Sequence, residues 1–203
     1  MNDTIVILAN SIKHGLRCVA GKSVTTGKWV RLVADVEGGA VTNDQASYTN
    51  KYGFFVAKPM QKIIMNIARP VPLINQPENV LVESGWTQNF NIGLDDLPQY
   101  QDYPESLWGN GKRIDGTEIV SGEYVVGQSL YLVKVESLTL FRSAEKKRRV
   151  TFKYGMVDYD LPATCTNFDS VESGESQHDN WVVVSLGEAH TDGYHYKIVA
   201  TIL

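Results

Sequence analysis

The hydrophobic positions of this chain fall in short runs separated by turn residues, and no run has a long helical period. The first run, TIVILA at residues 4–9, is continuous, rich in β-branched residues and too short for a stable helix, so it predicts a buried strand. RCVAGKSV at 17–24 and KWVRLV at 28–33 are separated by the turn TTG and predict two more strands. The opening segment therefore predicts a β meander.

Seven further runs have the composition of strands and are bounded by Gly, Pro, Asn or Asp: FFVA (54–57), KIIMNIA (62–68), NVLVE (79–83), SLYLVKV (129–135), RVTFKY (149–154), WVVVSL (181–186) and YKIVATIL (196–203). PESLWG at 104–109 is the best candidate for a helical turn. Short strands without intervening helices predict a mostly β protein, and a small barrel of about five strands needs only about 80 to 110 residues. Two such barrels in tandem fit into 203 residues.

The least regular part of the chain contains prolines, glycines and an excess of acids. We therefore place a first barrel at 1–88, an irregular connection at 89–117 and a second barrel at 118–203. The connection also carries several large apolar side chains, which are unsuited to a free linker. It is expected to pack partly on the barrels.

The composition predicts a soluble, cytoplasmic protein without a membrane partner. No apolar run approaches the ~20 residues of a membrane-spanning helix, and Asp3 stands where a secretory signal would be basic. Cys18 and Cys165 are too few for a disulfide framework, so they are expected to be reduced and buried.

Basic residues are concentrated in two segments, although the net charge is −4. No acid lies between Asp3 and Asp35, and Glu145 is the one acid between Arg142 and Lys153. The cations of the two segments are Lys13, Arg17, Lys22, Lys28 and Arg31, followed by Arg142, Lys146, Lys147, Arg148, Arg149 and Lys153. Clustered cations attract the phosphates of nucleic acids, although a run such as EKKRR is also typical of a solvated turn.

The letters GKS at 21–23 do not form a phosphate-binding loop. Such a loop has four residues between its first glycine and the Gly-Lys pair, whereas Gly15 and Gly21 enclose five. The loop must also open a helix, but Ser23 is followed by a turn and a predicted strand. This excludes a nucleotide hydrolase of the phosphate-loop class.

Alternation along KWVRLV places Trp29 and Arg31 on one face of a strand and Val30 and Leu32 on the other. An indole beside a guanidinium can stack a base and hold a phosphate, as single-strand-binding barrels do. The alternative interpretation is that Trp29 fills the core while Arg31 reaches a carboxylate. The sequence leaves both interpretations open.

Two further segments carry predicted basic side chains. The loop SIKHGLR would present Lys13, His14 and Arg17 beside the face of Trp29 and Arg31, with Gly15 permitting a tight turn, although a solvated hairpin has the same composition. In the second half, RVTFKY places Arg149, Thr151 and Lys153 on one face of a strand and apolar residues on the other.

Catalytic and metal motifs are not evident. His190 and His195 are five residues apart across a predicted turn, with no third ligand near them in the sequence, so neither a metal nor another cofactor is expected. No serine or cysteine triad and no carboxylate pair stands out, so an enzyme is not the favoured interpretation.

The chain resembles the dual OB-containing domain family of prokaryotic proteins. The resemblance lies in ILANSIKHGLRCVAGKSVTTGKWVRLV (7–33), QPENVLV (76–82), SLYLVKV (129–135), VVVSLGEAH (182–190) and YHYKIVATIL (194–203). It implies two oligonucleotide-binding (OB) type barrels and a nucleic-acid-binding or nucleotide-sensing role in anti-phage or mobile-element systems, with no catalytic residues. The surface determinants it implies are Ser11, Lys13, Gly15, Arg17, Gly21, Lys28, Trp29, Arg31, Glu78 and Asn79. Two positions depart from the family pattern: Ile12 stands where a basic residue is expected, and Cys165 stands where an acid is expected.

The leading hypothesis is a non-catalytic module that binds nucleic acid or a nucleotide. The predicted contacts are Lys13, His14, Arg17, Lys22, Lys28, Trp29, Arg31, Arg148, Arg149 and Lys153, with Ser11, Glu78 and Asn79 as further surface positions. A protein-interaction scaffold is the first alternative, because unevenly charged segments also suit a protein partner. An enzyme acting on a nucleotide or modified base is the second alternative, by analogy alone.

Overall fold

The computed structural model describes residues 2–13, 15–83, 85–174 and 179–203 of the chain. The chain divides into two compact units, Met1–Tyr100 and Gln101–Leu203. Strands dominate both units, which confirms the predicted mostly β class. No helix of the described ranges is long and apolar enough to cross a membrane.

Unit 1 contains eight of the strands, followed by a short 3-10 helix at Leu94–Tyr100. The strands are β1 (Asn2–Lys13), β2 (Leu16–Ser23), β3 (Trp29–Val33), β4 (Ser47–Asn50), β5 (Gly53–Val56), β6 (Gln61–Pro70), β7 (Asn79–Val82) and β8 (Trp86–Asn91). The predicted meander at the start of the chain corresponds to β1, β2 and β3, which pair in that order.

Five strands of unit 1 close into a ring. β1 pairs with β2, β2 with β3, β3 with β7 and β7 with β6, and β6 returns to pair with β1. The β3–β7 pair is parallel and the others are antiparallel. Apolar side chains fill the interior, among them Ile5, Ile7, Val30, Leu32 and Ile63. This closed ring is the small barrel that the strand spacing predicted.

Three further strands extend the sheet beyond this ring. β8 pairs with β6, β4 lies parallel to β8, and β5 pairs antiparallel with β4. Tyr48 and Trp86 stand opposite each other on β4 and β8 and are buried in the core of unit 1. The sequence did not predict β4 or β8, because SYTN and WTQNFN are mostly polar and lack the apolar runs from which strands were inferred.

Unit 2 combines two sheets with two short helices. Its elements are β9 (Arg113–Asp115), α1 (Gly116–Ser121), β10 (Leu130–Lys134), β11 (Glu136–Arg142), β12 (Arg148–Tyr154), β13 (Val157–Pro162), α2 (Phe168–Glu172), β14 (Trp181–Ala189) and β15 (Tyr194–Ile202). β10 pairs with β14, β14 with β15 and β15 with β9, while β11, β12 and β13 form a meander. A parallel bridge between Ala163 and Val199 joins the end of β13 to β15.

Residues between the predicted barrels belong to the packed structure of each unit. Phe90 lies in β8 of unit 1, and Arg113–Asp115 pairs with β15 in unit 2. Leu107 and Trp108 are buried, and the indole of Trp108 donates a hydrogen bond to the carbonyl of Gln128. The helical turn predicted at 104–109 is wrong, because Trp108 and Gly109 adopt positive φ angles of 53° and 80° that a right-handed helix excludes.

Candidate nucleic-acid interface

Trp29 and Arg31 share a face of β3, as the alternation predicted, but both side chains are buried. Val30 and Leu32 point into the core of unit 1, while the exposed fractions of Trp29 and Arg31 are 6% and 8%. The Arg31 Nε atom lies 3.5 Å from Oε1 of Glu78. The expectation that both side chains face outward is therefore corrected. The structure matches the alternative interpretation, in which Arg31 reaches a carboxylate.

The parallel pairing of β3 with β7 explains this burial. Arg31 stands opposite Asn79, and its backbone N–H donates to the carbonyl of Glu78, so the segment before β7 runs beside the guanidinium. The sequence separates these residues by more than forty positions, and only the fold brings them together. A nucleic-acid contact by Trp29 or Arg31 stays a prediction that their burial does not support.

Four other predicted positions are also buried rather than on the surface. Lys22 stands opposite Trp29 on β2, with its Nζ atom 5.3 Å from the centre of the indole ring. Ser11 and Asn79 are buried, and the amide of Asn79 donates to the side chain of Gln76. The side chain of Glu78 is 5% exposed. These four residues serve the packing of unit 1 rather than its surface, which corrects the assignment of Lys22 as a nucleic-acid contact and of the other three as surface positions.

Arg17 and Lys28 are two predicted cations of unit 1 that stay accessible. Arg17 is half-buried and donates from Nε to Oδ1 of Asn43 at 2.8 Å and from Nη1 to Oδ1 of Asn10 at 3.3 Å. Neutral amides hold this guanidinium, so its positive charge is not compensated by these contacts. Lys28 is exposed at the end of the turn before β3.

The turn between β1 and β2 is tight, as Gly15 predicted. Gly15 has a φ angle of 80°, in the left-handed region that glycine adopts readily. His14 lies outside the described residues, and the side chain of Lys13 does as well. Their predicted role in binding therefore stays a prediction.

Arg148 in unit 2 belongs to an ion-pair network with helix α2. Its guanidinium contacts Asp169, and so does that of Arg142, which also pairs with Glu172 at 3.2 Å. The two guanidinium carbons lie 5.4 and 5.5 Å from the centre of the buried Phe168 ring. These contacts attach α2 to β11 and β12, so much of the Arg148 charge is already compensated.

The outer face of β12 matches the predicted alternation. Val150 and Phe152 are buried in the core of unit 2, while Arg149, Thr151 and Lys153 are partly exposed. Arg149 donates from Nε to Oδ1 of Asp160 at 2.7 Å, and Lys112 donates to Oδ2 of Asp160 at 2.9 Å. The hydrogen bond from Arg149 is the main cause that lowers the pKa of the Asp160 carboxyl.

A groove of about 330 Å³ opens beside these side chains. It is lined by Ser137, Thr151, Phe152, Lys153, Asp158, Tyr159 and Asp160. The pairing of β11 with β12 shifts register between Glu136 and Thr139, and Ser137 there has a φ angle of 55°. This bulge bends β11 away from regular pairing. The sequence predicted Lys153 and Arg149, but nothing in it indicated the bulge.

Three polar groups in this groove are available for a ligand. The side chains of Ser137, Thr151 and Lys153 make no hydrogen bond or ion pair with one another or with any other residue that the structure describes. One ammonium and two hydroxyls are donors that a phosphate oxygen accepts.

Among the described residues, His190 and His195 do not form a metal site. His195 is buried with Nδ1 2.9 Å from the carbonyl oxygen of Gly187, and Nδ1 of His190 lies 3.3 Å from Oδ1 of Asp192. Within the described ranges, no three His, Cys, Asp or Glu residues are placed to hold a metal ion. Cys165 is buried, and burial raises the pKa of its thiol to about 12.

Exposed aromatic residues on β5, on β8 and in the turn between β4 and β5 were not among the predicted contacts. Phe54 and Phe90 are 58% and 51% exposed, and Tyr52 in that turn is 76% exposed. The sequence did contain a signal, because no Asp or Glu occurs between residues 45 and 77 while Lys51, Lys58, Lys62 and Arg69 do. The cations of this stretch are more widely spaced than those of the two basic segments from which phosphate contacts were predicted.

A comparison with known families accounts for nearly the whole chain. A family model described as "Dual OB-containing domain" matches residues 3–202. No curated protein and no solved structure gives a match. The match extends over both compact units, and this chain therefore belongs to the dual OB-containing domain family.

Proposed function

We propose that this protein is a non-catalytic module that binds nucleic acid by contacting backbone phosphates. OB-type barrels commonly bind oligonucleotides, and the chain belongs to a family with two of them. The observation that carries the proposal is the groove on unit 2, where Lys153 and the hydroxyls of Ser137 and Thr151 face an open space. A role in prokaryotic defence or mobile elements, implied by the family resemblance, remains a prediction.

The charges around the groove balance one another, and its hydrogen-bond donors are the feature that favours an anion. Asp160 is engaged by Arg149 and Lys112, so two cations surround its single negative charge. Lys153 stands opposite Asp158 on β13 and Glu136 on β11, which gives this part of the sheet three cations and three acids. An ammonium beside two hydroxyls suits one phosphate of a strand that continues over neighbouring surface.

Unit 1 provides accessible cations of its own. Arg17 is oriented by Asn10 and Asn43, and Lys28 is exposed. A guanidinium oriented by neutral amides keeps its charge for a phosphate and loses little rotamer entropy on binding. Binding through several such contacts is predicted to be weak per site, independent of sequence and strongly dependent on salt.

Fluorescence anisotropy with short DNA and RNA strands at two salt concentrations tests the proposal. Lys153→Ala should weaken binding to all sequences and reduce the slope of log affinity against log salt by about 0.7 for single strands. Lys147→Ala, in the exposed turn between β11 and β12, is the matched control and should change the slope much less. Absence of binding at low salt, or affinity that ignores salt, would overturn the proposal.

A further inference from the structure

The outer side of the extended sheet in unit 1 carries an unusual set of exposed side chains. Register across four strands places Ile64, Thr87, Thr49 and Phe54 in one row, since Ile64 pairs with Thr87, Thr87 with Thr49, and Thr49 with Phe54. The neighbouring row, which contains Tyr48 and Trp86, points into the core. Alternation therefore directs the first row outward, and all four of its residues are exposed.

Phe90 and Lys62 complete this surface, which we call the aromatic face: Phe54, Phe90, Lys62, Ile64, Thr49 and Thr87. Phe90 stands opposite Lys62 on β6, and the Lys62 Nζ atom lies 4.4 Å from the centre of the Phe90 ring. At the adjoining turn, the Lys51 Nζ atom lies 4.8 Å from the centre of the Tyr52 ring. Two of the exposed rings thus each lie beside an ammonium group.

An apolar surface of this kind marks an interaction site rather than a solvated sheet. Two exposed phenylalanines and an isoleucine on one face are unfavourable in water unless a ligand covers them. The charge on the same segment identifies the ligand. Lys51, Lys58, Lys62 and Arg69 occur in a stretch, 45–77, that contains no acid, and β8 has no charged residue at all. The complementary ligand is therefore polyanionic and also presents flat apolar surfaces.

We infer that the aromatic face is a second nucleic-acid site, on which unpaired bases of a single strand stack against Phe54 and Phe90. Stacking on aromatic side chains within a basic groove is the general mode of single-strand binding, and it requires bases that are not paired. The inference rests on the proposed function and adds base contacts to the phosphate contacts of the groove in unit 2.

The spacing of the rings suits two different bases. β4 and β8 are neighbours and β5 is the next strand out, so Phe54 and Phe90 are two strand spacings apart, about 10 Å. Phe90 and Thr87 stand opposite Lys62 and Ile64, which are two residues apart on β6, and this adds about 7 Å in the perpendicular direction. A separation of about 12 Å excludes stacking of both rings on one base, so a strand must cross the face diagonally.

The test measures binding of the protein to two single strands that differ only in their bases: an oligothymidylate of about 12 nucleotides and an abasic deoxyribose-phosphate strand of the same length. The wild-type protein should bind oligothymidylate more tightly. Phe54→Ala with Phe90→Ala should weaken oligothymidylate binding about tenfold or more and leave abasic binding unchanged, since stacking on each ring is lost. Phe54→Tyr with Phe90→Tyr keeps both rings and should retain the difference.

Control variants separate this inference from the proposed function. Lys153→Ala should weaken binding to both strands equally, and Val125→Ala, at an 80% exposed apolar position of unit 2, should weaken neither. If the double alanine variant loses the same affinity for both strands, or loses none, the inference that bases stack on the aromatic face is overturned. The proposed function is unaffected by either result. Wild-type protein that binds neither strand would overturn both. A Phe90→Trp variant, whose indole fluorescence should be quenched by oligothymidylate, tests stacking without truncating a side chain.

Discussion

The guanidinium of Arg31 lies beside the carboxylate of Glu78, 3.5 Å away, and the two side chains are 10% and 5% exposed. A charge this deeply buried is costly without its partner, because it has lost its hydration. The pair therefore belongs to the folding of unit 1 more than to its surface. Substitutions here should change stability first and ligand binding only as a consequence.

Glu78→Ala is expected to lower the free energy of unfolding by about 3 kcal/mol, because it leaves the Arg31 charge buried without this carboxylate. Urea denaturation followed by circular dichroism measures the change. Glu37→Ala, at an exposed acid in the same unit, is the matched control and should change stability by less than about 0.5 kcal/mol. Equal effects for the two variants would contradict a buried ion pair.

Gly21→Ala should destabilise the first barrel by about 3 kcal/mol or more. A Cβ atom at this position would lie 2.1 Å from the carbonyl oxygen of Val6 and 2.8 Å from Cγ2 of Ile5, so strand β1 would have to move. The glycine of GKS thus allows two strands to approach closely, and this explains its presence without a phosphate. Gly127→Ala, where nothing lies within 4 Å of the new atom, is the control for thermal denaturation. If the Gly21→Ala variant melted at the same temperature as the wild-type protein, the requirement for a glycine at this close approach would be refuted.

The buried Lys197 should make stability rise with pH in the alkaline range. Burial lowers the pKa of its ammonium from 10.5 to about 8 in the folded protein, and its Nζ atom donates to the carbonyl of Gly109 at 2.6 Å. Unfolding therefore takes up a proton between about pH 8 and pH 10, so the folded state gains stability as the pH rises through that window.

Lys197→Met removes this titration, and the difference in unfolding free energy between wild type and variant provides the measurement. Relative to the variant, the wild type should gain on the order of 1 to 3 kcal/mol between pH 7 and about pH 10. Taking the difference cancels the contribution of tyrosine ionisation to the free energy of unfolding. Tyr159 is the exception, because its ring centre lies 5.4 Å from Lys197 Nζ. A difference that is constant or falls with pH would contradict a depressed pKa.

Asp160 should contribute stability that disappears in acid. Arg149 and Lys112 lower the pKa of its carboxyl below the ordinary value of 3.8, so the contribution is fully present above about pH 4 and is lost as the pH falls through the lower, folded pKa. Asp160→Asn should therefore flatten the acid limb of the stability curve, as followed by denaturation between neutral pH and about pH 3. Asp158→Asn, across from Lys153, is the control. An unchanged acid limb in Asp160→Asn would exclude this role.

The sequence alone determined most of the strands and which of their residues face the core, because alternation with a period of two is a local property. Val30 with Leu32 and Val150 with Phe152 were placed in the interior on this basis, and the structure confirms them there. The family was also evident from the sequence, since its motifs are spread over both units. Strands β4 and β8 were missed because their buried aromatic residues, Tyr48 and Trp86, stand among polar neighbours.

Only the tertiary structure decided which outward side chains meet solvent. Strand alternation cannot say what lies beyond the outer face of β3, and it is the parallel pairing with β7, far along the chain, that brings Glu78 to Arg31. The groove beside Lys153 depends on a register shift between β11 and β12, and the aromatic face depends on β8 joining β6 to β4. Each of these features arises from pairing between separate strands, so no local pattern of polar and apolar positions contains them.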